Sequence, residues 1–172
     1  SKADDTVTFA YCKTGMVLFP GAEYCGNITV KDIGIGEESW LDKRPAAYAI
    51  TKEDLNFLNN RAADSNKGTF GKVLLVAGSV NMAGAAVLAA KAAYRSGCGL
   101  VRIYTPEENR IILQTAVPEA ILTTYSAKKA DTQQLIECLS WADVIILGPG
   151  IGKSDVAHSI VKTVLKNAAV PM

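Results

Sequence analysis

Apolar residues follow two alternating patterns along the second part of the chain. Short runs rich in valine, leucine and isoleucine predict buried strands at residues 73–77, 100–104, 120–125 and 143–147. Between these runs, apolar residues recur at helical spacing and predict helices at residues 84–96, from 106 onward, at 131–141 and at 154–167. Strands that alternate with helices predict an α/β layered domain with a mostly parallel sheet.

Details within this pattern predict which residues face the core. The helix after Pro106 is expected to turn Ile111, Ile112 and Thr115 toward the sheet. Asp131 is expected to cap the helix that ends at Trp141, with the apolar side chains at 135, 136, 138 and 139 on its inner side. Residues 168–172 are expected to begin a further strand.

The first 65 residues follow a different pattern. Alternation from Thr6 to Tyr11 and the extended segments 28–30 and 33–35 predict β structure without a helix to cover it. The apolar stretch 46–50 is compatible with an edge strand. Residues 52–61 predict a helix, because Thr51 and Asp54 resemble a capping box and leucines follow at helical spacing.

Composition narrows the class of protein. The 172 residues carry a net charge of +1 with acids and bases interspersed, so no nucleic-acid partner is expected. No apolar run reaches about 18 residues, so no membrane span is expected. The four cysteines form no C-x-x-C pair and have no nearby histidine, so we expect no metal site and reduced thiols in a cytoplasmic protein.

A glycine-rich loop at residues 148–152 is the sharpest local signal for chemistry. Gly148, Gly150 and Gly152 allow close backbone approach to a ligand, and a helix beginning near Ser154 points free N–H groups at the same place, as in phosphate sites. It is neither a Walker A motif, because Gly148 stands one residue too late, nor a Rossmann fingerprint, because Lys153 replaces a glycine. The alternative is a tight turn that binds nothing.

The turn from Gly78-Ser79 to Gly84-Ala85 follows the first of the 73–147 strands. It is therefore expected at the same sheet edge, where parallel sheets bind ligands. Small residues leave room for a flat ring, although helix–sheet packing alone also favours them. Asp143 is expected to cap or pair locally, and His158 is expected on the solvated face of the last helix.

Five glycine-containing motifs occur in order: Lys67-Gly68 with Gly71-Lys72, Gly78-Ser79, Gly84-Ala85-Ala86, Gly97-Cys98-Gly99-Leu100 and Gly148-Pro149-Gly150-Ile151-Gly152. Together they resemble the NAD(P)H-hydrate dehydratase family. The resemblance implies that residues 51–172 form the N-terminal half of a ribokinase-like domain. It also implies a substrate site at Gly84, Ala85, Gly148, Gly150 and Gly152, with Ala85 lining the hydrate pocket.

A second resemblance covers the start of the chain. Its motifs are Asp4 with Thr6-Val7-Thr8-Phe9, Lys13-Thr14-Gly15, Pro20-Gly21 and Asp32-Ile33-Gly34-Ile35. They resemble the C-terminal strands of the Rossmann-like NAD(P)H-hydrate epimerase domain that precedes the dehydratase in bifunctional repair enzymes. This implies an epimerase end at 1–36 and a linker at 37–50. The catalytic and potassium-binding residues of that domain would lie upstream, so no epimerase site residue is assigned.

The resemblance implies dehydration of NAD(P)H hydrate to NAD(P)H with ADP or ATP, and Mg²⁺ accompanying the nucleotide. The family's catalytic aspartate and nucleotide loop are expected downstream of Met172, so the chain is expected to be a piece of a longer polypeptide without turnover of its own. NAD(P)H hydrate, an adenine nucleotide and further copies in a homo-oligomer are the expected partners. A ribokinase-like small-molecule kinase and a non-catalytic nucleotide-binding module remain open.

Overall fold

The computed structural model describes residues 1–41, 45, 47–57 and 61–172. The chain divides into two compact units, Ser1–Asn60 and Arg61–Met172. Among the helices of the described ranges, none combines the length and apolar character needed to cross a bilayer.

The first unit contains a two-stranded parallel sheet. Strand β1 (Asp5–Phe9) pairs with β2 (Asn27–Lys31), and the short helix α1 (Thr14–Val17) and a 3₁₀ turn (Gly21–Tyr24) lie between them in the chain. The two strands confirm the first and second predicted segments, whereas the short helix was not predicted. The segment 33–35 is not a strand, because the Asp32 carboxylate accepts a hydrogen bond from the Gly34 amide and turns the chain.

In the described part of the helix predicted at 52–61, residues Glu53–Phe57 form a 3₁₀ helix. Another 3₁₀ turn precedes it at 37–40. The predicted capping contact is present, since the Asp54 carboxylate accepts bonds from the Thr51 amide (2.6 Å) and hydroxyl (3.1 Å). Leu55, the first leucine of the predicted apolar face, is exposed. Residues 46 and 58–60 lie outside the described residues, and no strand forms at 47–50.

The second unit is built on a four-stranded parallel sheet of order β5-β4-β3-β6. This confirms the predicted α/β architecture. Its elements in chain order are β3 (Lys72–Val76), α2 (Ala83–Arg95), β4 (Leu100–Pro106), α3 (Arg110–Ala116), β5 (Ile121–Tyr125), α4 (Thr132–Trp141), β6 (Val144–Leu147) and α5 (Asp155–Asn167), with 3₁₀ turns at Lys67–Phe70 and Glu107–Asn109.

Helices cover both faces of this sheet, so the strands are apolar on both sides. Leu74 belongs to a core shared with α4 and α5, and its neighbour Leu75 belongs to the opposite core shared with α2 and α3. Successive strand residues point to opposite faces, which explains why the strands read as continuous apolar runs rather than as alternating ones.

The prediction of which residues of α3 face the sheet is wrong. Ile111 is 78% exposed and Ile112 is 52% exposed, and Thr115 is exposed too, whereas Leu113 and Val117 are buried. The 3₁₀ turn Glu107–Asn109 precedes the α-helix, and a 3₁₀ turn advances each residue by about 120° instead of about 100°. The face that meets the sheet is therefore shifted from the one expected for a helix starting at Pro106.

The cap predicted for α4 is confirmed. The Asp131 carboxylate accepts hydrogen bonds from the amides of Gln133 (2.9 Å) and Gln134 (3.2 Å) and so caps the helix. The strand predicted to begin at residues 168–172 does not form. The Pro171 carbonyl accepts one hydrogen bond from the Ile145 amide of β6 (3.0 Å), but proline has no N–H to continue a ladder.

Candidate functional site

The loops after β3 and β6 meet at the carboxyl edge of the sheet. The two strands are neighbours, with Val76 opposite Leu147, so their carboxyl ends lie side by side. The Gly78 amide donates a hydrogen bond of 2.8 Å to the Pro149 carbonyl, and the Gly148 amide donates one of 3.1 Å to the Val76 carbonyl. The two loops singled out in the sequence therefore form one structural unit.

A cleft of about 270 Å³ opens beside these loops. Its walls come from the ends of β4 and β5, from both loops and from the start of α5: Ser79, Val80, Pro106, Tyr125, Ala127, Ile151, Gly152, Lys153, Ser154 and Val156. Apolar walls with a few hydroxyl and amino groups are typical of small-molecule sites, and the volume suits a ring-sized part of a larger ligand.

The predicted site residues occupy three kinds of position. Gly152 lines the cleft, and a Cβ atom there would lie 3.5 Å from the Ser79 side chain. Gly150 packs against Ala85, with 2.5 Å between an added Cβ atom and the Ala85 Cβ. At Gly84 and Gly148 an added Cβ atom would have nothing within 4 Å. The structure thus brings Gly150, Gly152 and Ala85 to the contact between the two loops, and Gly148 joins that contact through its backbone amide. Gly84 is exposed.

The start of α5 makes one end of the cleft electropositive. Ser154 caps this 13-residue helix, because its hydroxyl oxygen accepts a bond of 3.1 Å from the Ala157 amide. Lys153 lines the same wall as the positive end of the helix dipole, while the acidic Asp155 in the first turn opposes this positive charge in part. This wall suits a polar or anionic group of a ligand.

Tyr125 forms an aromatic wall of the cleft. Its ring stacks on Tyr104 with centroids 4.7 Å apart and an interplanar angle of 24°. Burial, together with the charge of Glu108, raises the pKa of Tyr125 to about 12, and burial raises the pKa of Tyr104 as well. Both phenols are therefore neutral at physiological pH.

A buried polar pair behind the β3 loop was not predicted from the sequence. Asn109 is 2% exposed and Thr105 is fully buried. The Asn109 side-chain amide donates to the Thr105 hydroxyl oxygen (2.9 Å) and to the Ser79 carbonyl (3.2 Å). In the sequence, the only sign of this pair is that two hydrogen-bonding residues stand four positions apart where a strand meets a helix. Because the same spacing is common in solvated turns, it does not identify a buried pair.

An ion pair lies on the surface where β4 and β5 end. The Arg110 guanidinium is 2.7 Å from the Glu107 carboxylate, which also accepts a hydrogen bond from the Thr124 hydroxyl. The hydrogen bonds from Thr124 and Arg110 lower the pKa of Glu107, so this exposed carboxylate is ionised over the physiological range.

The remaining predicted groups lie away from the cleft. Asp143 pairs locally as predicted, since its carboxylate accepts a bond of 2.8 Å from the Lys72 amide at the start of β3. An apolar groove of about 560 Å³ lies at this amino-end side of the sheet, opposite the edge where parallel sheets bind ligands. His158 is exposed on α5, and no cluster of three metal-ligating side chains occurs in the described ranges.

Comparison with known proteins relates the chain to one family. The model of the NAD(P)H-hydrate dehydratase family matches residues 73–172. The bifunctional NAD(P)H-hydrate repair enzyme Nnr of Coxiella burnetii is 37% identical over 169 residues, which cover 96% of the chain and 33% of that relative. The chain spans about a third of the length of the curated relatives it matches first.

Two solved structures resemble the fold. A ribokinase-like superfamily protein from Enterococcus faecalis aligns with a TM-score of 0.62 at 31% identity, over 72% of this chain and 44% of that one. The ADP/ATP-dependent NAD(P)H-hydrate dehydratase from Bacillus subtilis, co-crystallised with ATP/Mg²⁺, aligns with a TM-score of 0.51 at 32% identity, over 63% of this chain and 38% of that one.

Proposed function

Because the chain belongs to the NAD(P)H-hydrate dehydratase family, we propose that it forms part of an enzyme that returns NAD(P)H hydrate to NAD(P)H using ADP or ATP. The family match over the parallel-sheet unit carries this proposal. The cleft supports it, because the match contains both loops that meet at the carboxyl edge.

The cleft would hold the hydrated nicotinamide end of the substrate. Gly152 leaves the wall open beside Ser79, while Ala85 and Gly150 keep the loop close to α2, and Gly84 and Gly148 belong to the same site in this proposal. Tyr125 offers an apolar surface for a ring, and the start of α5 with Lys153 faces polar or phosphate groups. These residues bind and orient the substrate and exclude water from it.

An adenine nucleotide is the proposed second ligand. The Bacillus subtilis relative is named ADP/ATP-dependent and was co-crystallised with ATP/Mg²⁺. Magnesium usually retains several waters and binds through phosphates, and the described residues contain no carboxylate cluster to hold it independently. The chain's residues would therefore meet magnesium through the nucleotide, and the ion would help to neutralise phosphate charge. Potassium is proposed only for an epimerase portion outside the 172 residues.

The same proposal extends to the organisation of the chain. Residues 1–36 would be the end of an epimerase domain, 37–50 a linker and 51–172 part of the dehydratase domain. The alignment of 96% of the chain with a relative named bifunctional supports this assignment. A homo-oligomer in the cytoplasm is the proposed state of the enzyme.

The test is a product analysis with the protein expressed from its full gene. NADH hydrate and NADPH hydrate are each incubated with ADP or ATP, and reduced nicotinamide and inorganic phosphate are measured. The proposal requires both products in equal amounts. A stable phosphorylated product would instead identify a kinase, and absence of all turnover would overturn the dehydratase assignment. His158→Ala changes a residue on the exposed face of α5 and should retain the wild-type rate.

A further inference from the structure

We propose that Asn109 is a positioning residue that holds the β3 loop, and through it the β6 loop, in the geometry that the cleft needs for its ligand. This inference rests on the proposed function for the identity of the ligand. The positioning itself follows from the hydrogen bonds of the buried amide.

The two hydrogen bonds determine how the Asn109 side chain is oriented. Its partner on the loop is the Ser79 carbonyl, which can only accept, so the side-chain nitrogen faces the loop. The second N–H of the same nitrogen meets the Thr105 hydroxyl oxygen on β4. Because Asn109 is almost fully buried, water cannot replace either partner, and displacement of the loop would leave a donor unpaired.

The hydrogen bond from Asn109 to Ser79 also restrains the β6 loop, because the β3 loop is bonded to it. Gly78 precedes Ser79 with a φ of +80°, and an added Cβ atom would lie 3.0 Å from both the Asn109 nitrogen and the Thr105 oxygen. The Gly78 amide in turn donates to the Pro149 carbonyl at 2.8 Å. A chain of contacts therefore runs from β4 through Asn109 and the β3 loop to the loop that contains Gly152.

The 3₁₀ turn Glu107–Asn109 explains why this amide reaches the loop. It changes the direction of the chain directly after β4 and places residue 109 beside residue 105, with the side chain facing inward toward the neighbouring strand end. The turn thus displaces the predicted face of α3 and at the same time brings a buried amide behind the cleft.

Asn109→Asp is the sharpest variant, because aspartate has the same shape but no side-chain N–H in its ionised form. It would place a carboxylate beside the Ser79 carbonyl. We expect the Gly78 amide to exchange with solvent at least about tenfold faster and the Kd for NADPH hydrate to rise about tenfold, the effect of losing one or two hydrogen bonds from a preorganised site. Thr105→Val, which retains the bond to Ser79, should change both quantities less.

A stability control separates positioning from general destabilisation. Val117→Ala removes buried apolar volume at the end of α3 without touching the hydrogen-bonded network, and its loss of unfolding free energy is measured beside that of Asn109→Asp. A purely structural role predicts that both variants keep the wild-type Gly78 exchange rate and Kd well below their melting temperatures.

The measurements are amide exchange of Gly78 by NMR and calorimetric titration with NADPH hydrate, both on the full chain. Faster exchange together with weaker binding in Asn109→Asp, and neither in Val117→Ala, would support the proposal. Wild-type exchange in Asn109→Asp, or equal changes in the two variants, would overturn it. Faster exchange in a protein whose wild type does not bind the hydrate would support the positioning of the loop and overturn the proposed ligand.

Discussion

Gly150 packs against Ala85 so closely that a Cβ atom at position 150 would lie 2.5 Å from the Cβ atom of Ala85. The backbone of Gly150 also has a φ of +65°, a left-handed conformation that favours glycine. The loop after β6 and the first turns of α2 can therefore approach this closely only with glycine at position 150.

Gly150→Ala should lower the free energy of unfolding by roughly 2–4 kcal/mol, from left-handed strain and overpacking together. Gly152→Ala has a similar φ of +78° but an ordinary contact distance of 3.5 Å, so it should lose only the conformational part, about 1–2 kcal/mol. Urea unfolding measures both. Combining Gly150→Ala with Ala85→Gly should recover part of the loss, and strict additivity in that cycle would contradict the clash.

Enlarging residue 152 should close the cleft. We expect Gly152→Ala to bind NADPH hydrate nearly as well as the wild type, and Gly152→Leu to bind at least about tenfold more weakly, because the larger side chain enters the space beside Ser79. Calorimetric titration gives the two affinities. His158→Leu, an apolar substitution on the exposed face of α5, is the control, and unchanged binding by Gly152→Leu would remove this residue from the site.

Alkaline pH should destabilise the second unit through the buried tyrosines. The pKa of Tyr125 is raised from 10 to about 12 in the folded chain, because its environment disfavours the charged phenolate. The stabilisation is therefore complete below pH 10 and is lost as the pH rises through about 12, since the unfolded chain releases its proton first. Unfolding free energies at a series of pH values should fall more steeply for the wild type than for Tyr125→Phe. If the unfolding free energies of the two proteins fell equally with pH, the raised pKa of Tyr125 would be refuted.

The cap of α4 should contribute measurably to stability. Asp131→Ala removes the acceptor of two amide hydrogen bonds and should cost about 1 kcal/mol of unfolding free energy. Asp131→Asn keeps an acceptor oxygen and should cost only a few tenths of that. Denaturant unfolding of the two variants tests the difference, and equal losses would show that the cap hydrogen bonds are not the cause.

The first unit should exchange its amide protons faster than the second. Thr8 is the only buried residue among those of Ser1–Asn60 whose side chains the structure describes. A pair of short strands has too little apolar cover for independent stability. Strands β3 and β4, which are buried on both faces, should be the most protected. Hydrogen exchange followed by mass spectrometry would show this, and equal protection of β1 and β3 would contradict it.

Much of the second unit was predictable because its signals are local. The apolar runs that became β3 and β6 are too short for helices, and Asp131 and Ser154 stand where helix caps stand. The inner face of α3 was not predictable in the same way. It depends on a 3₁₀ turn whose bonds involve Glu107 and Arg110, and the apolar pattern of seven residues cannot specify the phase of so short a helix.

The sequence by itself determined the family, the alternation of strands and helices, and the two glycine-rich loops at one sheet edge. These follow from residue type and spacing, which act within a few positions of the chain. Tertiary structure decided that Gly150 meets Ala85, that Gly152 rather than Gly148 lines the cleft, and that Asn109 lies behind Ser79. Such contacts join residues 30 or more positions apart in the chain, and only the pairing of β3 with β4 and β6 brings them within a few ångströms.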